Sequence, residues 1–305
     1  MFHNSPDIDK VQYETGYATT RSQMIYRYLQ EFSYVTPGKR LLDFGCNRGA
    51  FLSQLIGVGH AGFDIDDQYK VNVESLGHTY YSPDNPPPSA MFDVVTAIHV
   101  VEHLEDISRD LDHAIRALKP GGILFVQVPD PAFQSIDFYV ADHRSHFSES
   151  TLQNAVHTHK NLSGIGSPFR LVKGELSALF RKSGRTPVTA SAWVVEPSIL
   201  AEGLHAGEKM LLELRETPGP FYIYGAGYLG SMIAYFLRQR SIAIFDDNVR
   251  LHGTTLHGLP IIPPLSELRD DATVVIAVPP VSVRRVASAC KARGFSCIEL
   301  FLPML

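Results

Sequence analysis

The residues most suited to chemistry lie in residues 41–52, where an apolar strand ends in an acid and a glycine-rich turn. Such a turn brings backbone N–H groups and the start of a helix beside the last carboxylate, here Asp43, where open α/β sheets bind nucleotide-like ligands. Phosphate loops usually continue with a lysine and a hydroxyl residue, but this turn, containing Gly45 and Gly49, continues into Ala50-Phe51-Leu52. The carboxylate would repel a pyrophosphate and suits a ligand that carries an ammonium and a sulfonium group.

A second acid follows at the spacing of a ribose ligand. Residues 60–65 read as a strand that ends in acids, about twenty residues after the glycine turn, the distance at which a carboxylate reaches a ribose hydroxyl pair. Asp64 is therefore the predicted ribose ligand, with Asp66 as the second choice.

A loop after a later strand supplies the candidate bases. Residues 138–152 contain the neighbouring pair Asp142 and His143, with His146 three positions further on. An imidazole beside an acid can act as a general base and remove a proton from a bound nucleophile. The alternative for each histidine is a structural one, in which the ring bonds backbone atoms of the loop.

A glycine-containing segment just after the middle of the chain offers a phosphate contact. Residues 164–170 could bring Ser167 and Arg170 to a sugar phosphate, since a planar guanidinium suits diphosphates. A turn followed by a solvated arginine is the equal alternative.

The second half of the chain contains a complete glycine fingerprint. Gly225, Gly227 and Gly230 lie between a predicted strand and a predicted helix, and Asp246 follows at the spacing of a dinucleotide site. The rest of the chain is too short for the two mononucleotide halves of a full dinucleotide domain. Bound NAD(P) is thus one interpretation, and an acceptor-side or scaffold role and a degenerate site are the others.

Composition bounds the class of protein. The 305 residues are 45% hydrophobic and carry a formal charge of −5, so the chain can form one large or two moderate domains and lacks a basic excess for nucleic acid. There is no apolar run of membrane-spanning length and no signal-peptide pattern at the N-terminus, which predicts a cytoplasmic protein. The three cysteines form neither a CxxC pair nor an even disulfide set, and no metal site is predicted.

Strand and helix patterns alternate along the chain, which predicts an α/β fold with a doubly wound parallel sheet. Helices are expected at residues 21–32, 50–56, 67–75, 106–118 and 150–158, the last capped by Ser148 or Thr151, and strands at 40–44, 60–65, 79–82, 92–98 and 123–130. The predicted organisation is a Rossmann-like domain over 1–196, a helical connector over 197–219 and a second, smaller Rossmann-like α/β domain over 220–305.

Four segments have the order and spacing of motifs in the class I S-adenosylmethionine-dependent methyltransferases, which this chain resembles. They are Asp43–Gly49, Gly62–Asp64, Phe92–Val95 with Val101–Leu104, and Leu118–Gly122. Asn47 replaces the usual middle glycine, and asparagine accepts positive φ better than most residues. The resemblance implies that Asp43 and the turn backbone hold the methionine part of S-adenosylmethionine and that Asp64 holds the ribose. The implied cofactor residues are Asp43, Gly45, Cys46, Asn47, Gly49, Asp64, Ile65 and His99.

The loop at residues 138–152 and the terminal domain further resemble those of nucleotide-sugar C-methyltransferases. His143 matches their catalytic histidine, and Asp142 stands where a glutamate is usual. The resemblance implies removal of an α-proton from a keto-sugar or, with a hydroxyl acceptor, deprotonation of the alcohol. The predicted substrate-side residues are Tyr139, His146, Arg170, Gly225, Gly227, Gly230 and Asp246. The cysteine-rich zinc domain of that family is not expected, since no cysteine precedes Cys46.

The predicted function is methyl transfer to an activated, nucleotide-linked sugar in polysaccharide or other sugar biosynthesis, at carbon or oxygen with a slight preference for carbon. The acceptor is expected between the two domains. The alternatives are a bifunctional methyltransferase and NAD(P)-dependent reductase, and a non-catalytic sugar-nucleotide binding protein. The expected partner is a small-molecule sugar, with neither nucleic acid nor a membrane, and a homo-oligomer is compatible with the sequence.

Overall fold

The computed structural model describes residues 16–55, 57, 59–133, 137–138, 140, 142–157, 161–183, 197–266, 269–278 and 280–300. The chain folds as two α/β units, one formed by residues 18–132 and 137–201 and the other centred on residues 202–305. None of the helices within these described ranges has the length and apolar character needed to cross a membrane.

The first unit is built on a seven-stranded sheet. Its strands are β1 (Leu41–Phe44), β2 (Ala61–Phe63), β3 (Thr79–Tyr81), β4 (Phe92–Ile98), β5 (Leu118–Pro129), β6 (Leu162–Gly164) and β7 (Glu175–Lys182). They lie in the order β3-β2-β1-β4-β5-β7-β6, and all are parallel except β7, which is antiparallel to β5 and β6. The order reverses between β1 and β4, so a crevice opens at the carboxyl ends of these two strands, where doubly wound sheets bind ligands.

Apolar layers cover both faces of this sheet, as a parallel sheet requires. Successive residues of β1 point to opposite faces, so that Leu42 belongs to one core cluster and Leu41 to the other. The register pairs Asp43 with Gly62 on one side and with Thr96 on the other. The sheet therefore places the Asp43 carboxylate at the crevice between two neighbouring strands.

The helices of the first unit are α1 (Gly16–Glu31), α2 (Lys70–Ser75), α3 (Ile107–Asp110), α4 (Asp112–Ala117) and α5 (Glu149–His157). The predicted cap of α5 is confirmed: the Ser148 N–H donates to Thr151 Oγ1 over 2.7 Å, and the Thr151 N–H donates to Ser148 Oγ over 3.3 Å. This reciprocal pair satisfies two groups at the helix start and fixes the end of the preceding loop.

The helix predicted at residues 50–56 is wrong for the described part of that segment. The chain instead forms turns and one short 3₁₀ turn, Leu52–Gln54, which buries Leu52. Gly57 and Gly59 then adopt φ values of 114° and 88°, which a right-handed helix excludes. In the described part of this connection, residues 50–55, 57 and 59–60, the structure shows turns and this 3₁₀ turn instead of a long helix.

The second unit contains a six-stranded sheet. Its strands are β8 (Phe221–Tyr224), β9 (Ser241–Phe245), β10 (Thr255–Leu256), β11 (Leu259–Ile262), β12 (Thr273–Ile276) and β13 (Cys297–Glu299), in the order β10-β11-β9-β8-β12-β13. All neighbours are parallel except β10 and β11. The helices are α6 (Pro197–Glu216), α7 (Tyr228–Leu237) and α8 (Pro280–Lys291). The predicted fold class, two Rossmann-like α/β units with the second one smaller, is confirmed.

Candidate functional site

The glycine turn after β1 is closed by its own hydrogen bonds. Every backbone N–H from Gly45 to Gly49 donates to an acceptor inside the protein, at 2.7–3.0 Å. The acceptors, in chain order, are the Phe63 carbonyl twice, Asp64 Oδ2, Asn47 Oδ1 and the Cys46 carbonyl. Because these N–H groups are all used, the turn does not form the nest of free donors that binds a phosphate. This agrees with the prediction that the turn does not serve a pyrophosphate.

The backbone of this turn explains its residue types. Gly45 and Gly49 have φ values of 77° and 80°, and Asn47 has a φ of 47°, as the sequence predicted for a residue in place of a glycine. A Cβ on Gly45 would lie 2.3 Å from Cγ2 of Val100, so a larger residue would push away the loop after β4. Cys46 has a buried side chain; its N–H donates to the Phe63 carbonyl of β2 and its carbonyl accepts the Gly49 N–H, so the structure gives it a turn-building role.

Asp43 is a buried carboxylate that accepts a hydrogen bond from a threonine hydroxyl. Its side chain is 4% exposed, and the Thr96 hydroxyl donates to Oδ1 over 2.7 Å. Burial raises the pKa of Asp43 to about 7; the Thr96 hydrogen bond opposes this rise and the Asp64 charge adds to it. A cationic group placed beside this carboxylate would favour the ionised form, which suits the ammonium group of a methionine-type ligand.

Asp64 both holds the turn and stays available to a ligand. Its Oδ2 accepts the Asn47 N–H over 2.8 Å, and its Oδ1 accepts the Asp66 N–H over 3.1 Å. The Ile65 N–H also hydrogen-bonds to this carboxylate, whose two oxygens offer roughly four acceptor sites, so capacity remains for a ribose hydroxyl. The next residue, Ile65, is 82% exposed and offers an apolar surface at the same edge. Asp66, the second choice, accepts the Gln68 N–H and caps a 3₁₀ turn instead.

The ring of His99, just after β4, forms hydrogen bonds with two buried carboxylates. Nδ1 lies 3.0 Å from Glu102 Oε1, and Nε2 lies 2.9 Å from Glu175 Oε2. Burial would lower the pKa of His99, but Glu175 and Glu102 outweigh burial and raise that pKa to about 9. Both ring nitrogens are therefore occupied by protein carboxylates, and a cofactor contact of His99 stays a prediction.

Asp137 joins two histidines of the loop after β5. This carboxylate is 3% exposed; its Oδ1 lies 2.5 Å from Nδ1 of His143, and its Oδ2 lies 2.6 Å from Nδ1 of His146. Burial would raise the pKa of Asp137, but the hydrogen bonds and charges of the two imidazoles lower it below the ordinary value. An ionised carboxylate thus orients both rings.

The carboxylate predicted to serve His143 is therefore the wrong one. Asp142 is adjacent in sequence, yet its Oδ2 lies 3.4 Å from Nδ1 of His103, while Asp137 is the acid bonded to His143. Neighbouring residues in an extended loop point in different directions, whereas a residue six positions away can fold back. Sequence reasoning missed Asp137, whose one signal was an acid between the apolar residues Ile136 and Phe138.

Backbone hydrogen bonds connect this histidine loop to the loop after β4. The carbonyl of Glu102 accepts the Arg144 N–H over 2.7 Å and the Ser145 N–H over 3.2 Å. The His103 and His143 rings meet edge to face with centroids 4.7 Å apart. Glu102 is fully buried, and sequence reasoning assigned it no role. The structure thus brings His103, His143 and Glu102 together from two loops.

Two further residues, Arg170 and Tyr139, were predicted to contact the substrate. Arg170 donates from Nε to Asp130 and from Nη1 to Glu149, both over 2.7 Å. Two carboxylates neutralise this guanidinium, so its predicted contact with a diphosphate is not supported. Tyr139 lies outside the described residues.

The glycine turn of the second unit has the conformation that its fingerprint requires. Gly225 has a φ of 110°, and a Cβ on Gly230 would lie 1.7 Å from the Gly225 carbonyl oxygen. Asp246 accepts the Ala226 N–H over 2.7 Å, and Gly227 is the N-cap residue of α7. The predicted strand–turn–helix arrangement is confirmed, while a ligand for it stays a prediction.

Comparison with known proteins gives matches within the first part of the chain. Residues 17–160 match a family model described as a methyltransferase domain. The chain is 35% identical over 96 residues to the ubiquinone biosynthesis O-methyltransferase of Paramagnetospirillum magneticum, covering 28% of this chain and 39% of that protein. It is 32% identical over 113 residues to the 27-O-demethylrifamycin SV methyltransferase of Amycolatopsis mediterranei, covering 31% of this chain and 42% of that protein.

The chain thus spans less than half the length of these curated relatives. A solved S-adenosylmethionine dependent methyltransferase from Mesorhizobium loti matches 52% of this chain and 98% of its own, with a TM-score of 0.42 and 16% identity. S-adenosylmethionine, the cofactor named in the sequence analysis, agrees with the matched methyltransferase family. The carboxylates of Asp43 and Asp64 suit its ammonium group and its ribose hydroxyls. The match to the methyltransferase domain model thus covers residues 17–160 of this chain.

Proposed function

We propose that this chain transfers a methyl group from S-adenosylmethionine to a hydroxyl of a polar small molecule, and that an activated sugar is the acceptor. The observation that carries the activity is the turn at residues 45–49, whose N–H groups are all used internally beside the carboxylates of Asp43 and Asp64. A site with buried carboxylates and no free N–H groups in its turn favours a cationic ligand with ribose hydroxyls and disfavours a phosphate chain.

Bound S-adenosylmethionine would supply an electrophilic methyl group, leaving S-adenosylhomocysteine as the product. The chain's own residues then have to orient the acceptor and take its proton. Asp137 holds Nδ1 of His143 and of His146. Because an ionised carboxylate only accepts hydrogen bonds, each Nδ1 carries the hydrogen and each Nε2 keeps a lone pair. An Nε2 lone pair can accept the hydroxyl proton, and Asp137 stabilises the resulting imidazolium.

We propose oxygen as the methylated atom, whereas the sequence alone slightly favoured carbon. Two curated relatives carry names that specify methylation at oxygen. The same imidazoles would serve a carbon acid, so carbon methylation of a keto-sugar is the second candidate. It is supported by the acid-histidine loop before α5.

The side chains around the histidines favour a hydroxylated acceptor. His103, Asp142 and His146 have side chains that are 38%, 34% and 24% exposed, and each can hydrogen-bond to sugar hydroxyls. This supports a sugar over an apolar ring, and Arg170 is left out of the proposed acceptor site.

The test is a mass-shift assay with purified protein, S-adenosylmethionine and three acceptor groups: nucleotide-linked sugars, free sugars and simple phenols. We expect methylated product with a nucleotide-linked sugar, and loss of product in Asp137→Asn. The control is His205→Gln, which changes a histidine that is 81% exposed on α6. Product with phenols alone would reject the sugar, and no product with any acceptor would reject the proposed activity.

A further inference from the structure

We propose that Glu102, His103 and His143 form a binding site for a divalent transition-metal ion. One ligand atom from each of the three side chains lies within 4.8 Å of the other two. Two imidazoles and one carboxylate form a set that catalytic zinc sites and non-haem iron sites use, with positions left open for a further ligand. The residues come from the loops after β4 and β5.

The hydrogen bonds of the two histidines leave the correct nitrogen of each ring for a metal. Nδ1 of His103 lies 3.2 Å from the Asp142 backbone carbonyl oxygen, which can only accept, so Nδ1 carries the hydrogen. Nδ1 of His143 is bonded in the same way to Asp137. In a neutral imidazole this places the lone pair on Nε2. An outer carboxylate or carbonyl on Nδ1 is the usual support of a metal-binding histidine.

The third side chain presents a buried oxygen that needs a partner. Glu102 is fully buried; its Oε1 lies 3.0 Å from Nδ1 of His99, and its Oε2 has no hydrogen-bond partner among the residues that the structure describes. Leaving a carboxylate oxygen buried without a partner is costly. A cation bound at Oε2 would give this oxygen a partner. The Nε2 lone pairs of the two imidazoles cannot do so, because they repel the lone pairs of the carboxylate oxygen.

The backbone holds the three residues in place without a metal. Glu102 accepts N–H groups of Arg144 and Ser145 through its carbonyl oxygen, which ties the loop of His143 to the loop that carries Glu102 and His103. His99, itself bonded to Glu175 over 2.9 Å, fixes the Glu102 carboxylate. The ligands are therefore supported by a second set of contacts, which is the arrangement that gives a metal site its affinity.

The donor types select the metal. Two imidazole nitrogens suit zinc, iron, cobalt or nickel, whereas magnesium and calcium prefer oxygen ligands throughout. The open position of the ion would take an oxygen of the acceptor and lower the pKa of a bound hydroxyl. This last step rests on the proposed function, and it divides the two imidazoles on Asp137: His143 binds the metal and His146 accepts the proton.

The test is metal binding to the full chain in the absence of any methyl donor. Chelator-stripped protein is titrated with zinc chloride, and bound zinc is counted by elemental mass spectrometry after gel filtration. We expect one zinc per chain, and an affinity at least about 10-fold weaker in Glu102→Gln and His103→Gln. His205→Gln, the exposed control, and His146→Gln should bind zinc as the unaltered protein does.

X-ray absorption on the unaltered zinc-loaded chain covers the case in which a buried variant fails to fold. We expect two imidazole nitrogens and an oxygen shell at about 2.0–2.2 Å. Substoichiometric zinc, zinc binding that none of the ligand substitutions weakens, or a spectrum without imidazole scattering would overturn the metal site. Methyl transfer by chelated protein that binds no zinc would leave the proposed function standing. Zinc bound without methyl transfer to any acceptor would do the reverse.

Discussion

Asp64 accepts a hydrogen bond from the backbone N–H of Asn47 over 2.8 Å, so the acid at the end of β2 fixes the glycine turn after β1. The second unit repeats this contact: Asp246, after β9, accepts the Ala226 N–H over 2.7 Å. Both acids also accept the N–H two residues further on, at 3.1 Å and 2.8 Å. The acid chosen as a ligand in each unit is therefore also the residue that closes its turn.

Replacing Asp64 by alanine should weaken both the fold and the donor site. The N–H groups of Asn47 and Asp66 would lose their acceptor, which costs about 1–3 kcal/mol of the free energy of unfolding. Urea unfolding measures this loss, and titration with S-adenosylhomocysteine measures the affinity. Glu74→Ala is the control, since its pair with Lys70 is half exposed and spans 4.0 Å, and such pairs contribute little. Equal stability of Asp64→Ala and Glu74→Ala would contradict the role of Asp64 in the turn.

Binding of S-adenosylhomocysteine should tighten as the pH rises through about 7. Burial raises the pKa of Asp43 to about 7, and the ammonium group of the ligand binds the ionised carboxylate. Below this pH the carboxyl must lose its proton for binding, so the affinity falls by up to about 10-fold per pH unit. Calorimetric titrations from about pH 5.5 to about pH 8.5, the range in which such a group titrates, check this.

Asp43→Asn is the matched variant for this pH dependence. It keeps the size of the side chain and an oxygen for the Thr96 hydroxyl, but it has no proton to lose. We expect weaker binding with little change in affinity across the same pH range. A slope that persists in Asp43→Asn would assign the titration to another group.

Asp137→Asn should reduce methyl transfer by about 100-fold or more while S-adenosylhomocysteine still binds. The amide can no longer hold both imidazoles in the tautomer that leaves Nε2 free, because His143 and His146 both use this carboxylate. Turnover under saturating donor, measured beside the donor affinity, separates the two effects. Unchanged turnover would remove the Asp137 pair from the proton-transfer step.

Gly230→Ala should disrupt the second unit by at least about 3 kcal/mol. Its Cβ would lie 1.7 Å from the Gly225 carbonyl oxygen, so strand β8 and helix α7 would have to separate. Gly253→Ala is the control, because that position has a φ of 83° with no atom within 4 Å of the added Cβ and should cost about 1–2 kcal/mol. Amide hydrogen exchange of peptides from residues 221–262 reports the difference. Similar protection in the two variants would show that the turn can relax.

The sequence predicted those parts of the site that depend on local pattern. Asp43 follows an apolar strand and precedes glycines, and Asp64 follows at the ribose spacing, so both could be assigned without tertiary contacts. Asn47 was accepted in a glycine position, and its φ of 47° agrees. The alternation of strands and helices likewise predicted both α/β units.

The contacts that the sequence did not predict join distant residues. Glu175 reaches His99 from β7, 76 positions away, and nothing near either residue marks the pair. Asp137 approaches His143 only because the loop folds back, so the adjacent Asp142 was chosen in its place. The helix predicted at residues 50–56 was wrong because Leu52–Gln54 forms only a short 3₁₀ turn and Leu55 is already extended, which apolar spacing alone does not reveal.

The most direct test of the donor site is isothermal titration of the full chain with S-adenosylhomocysteine, beside a parallel titration with ATP. Every N–H from Gly45 to Gly49 is bonded within the protein, and the carboxylates of Asp43 and Asp64 lie next to this turn. We therefore expect saturable heat with S-adenosylhomocysteine and weaker binding in Asp43→Asn. No competition by ATP is expected. The absence of heat with millimolar S-adenosylhomocysteine, or displacement of it by ATP, would contradict a methyl-donor site at this turn.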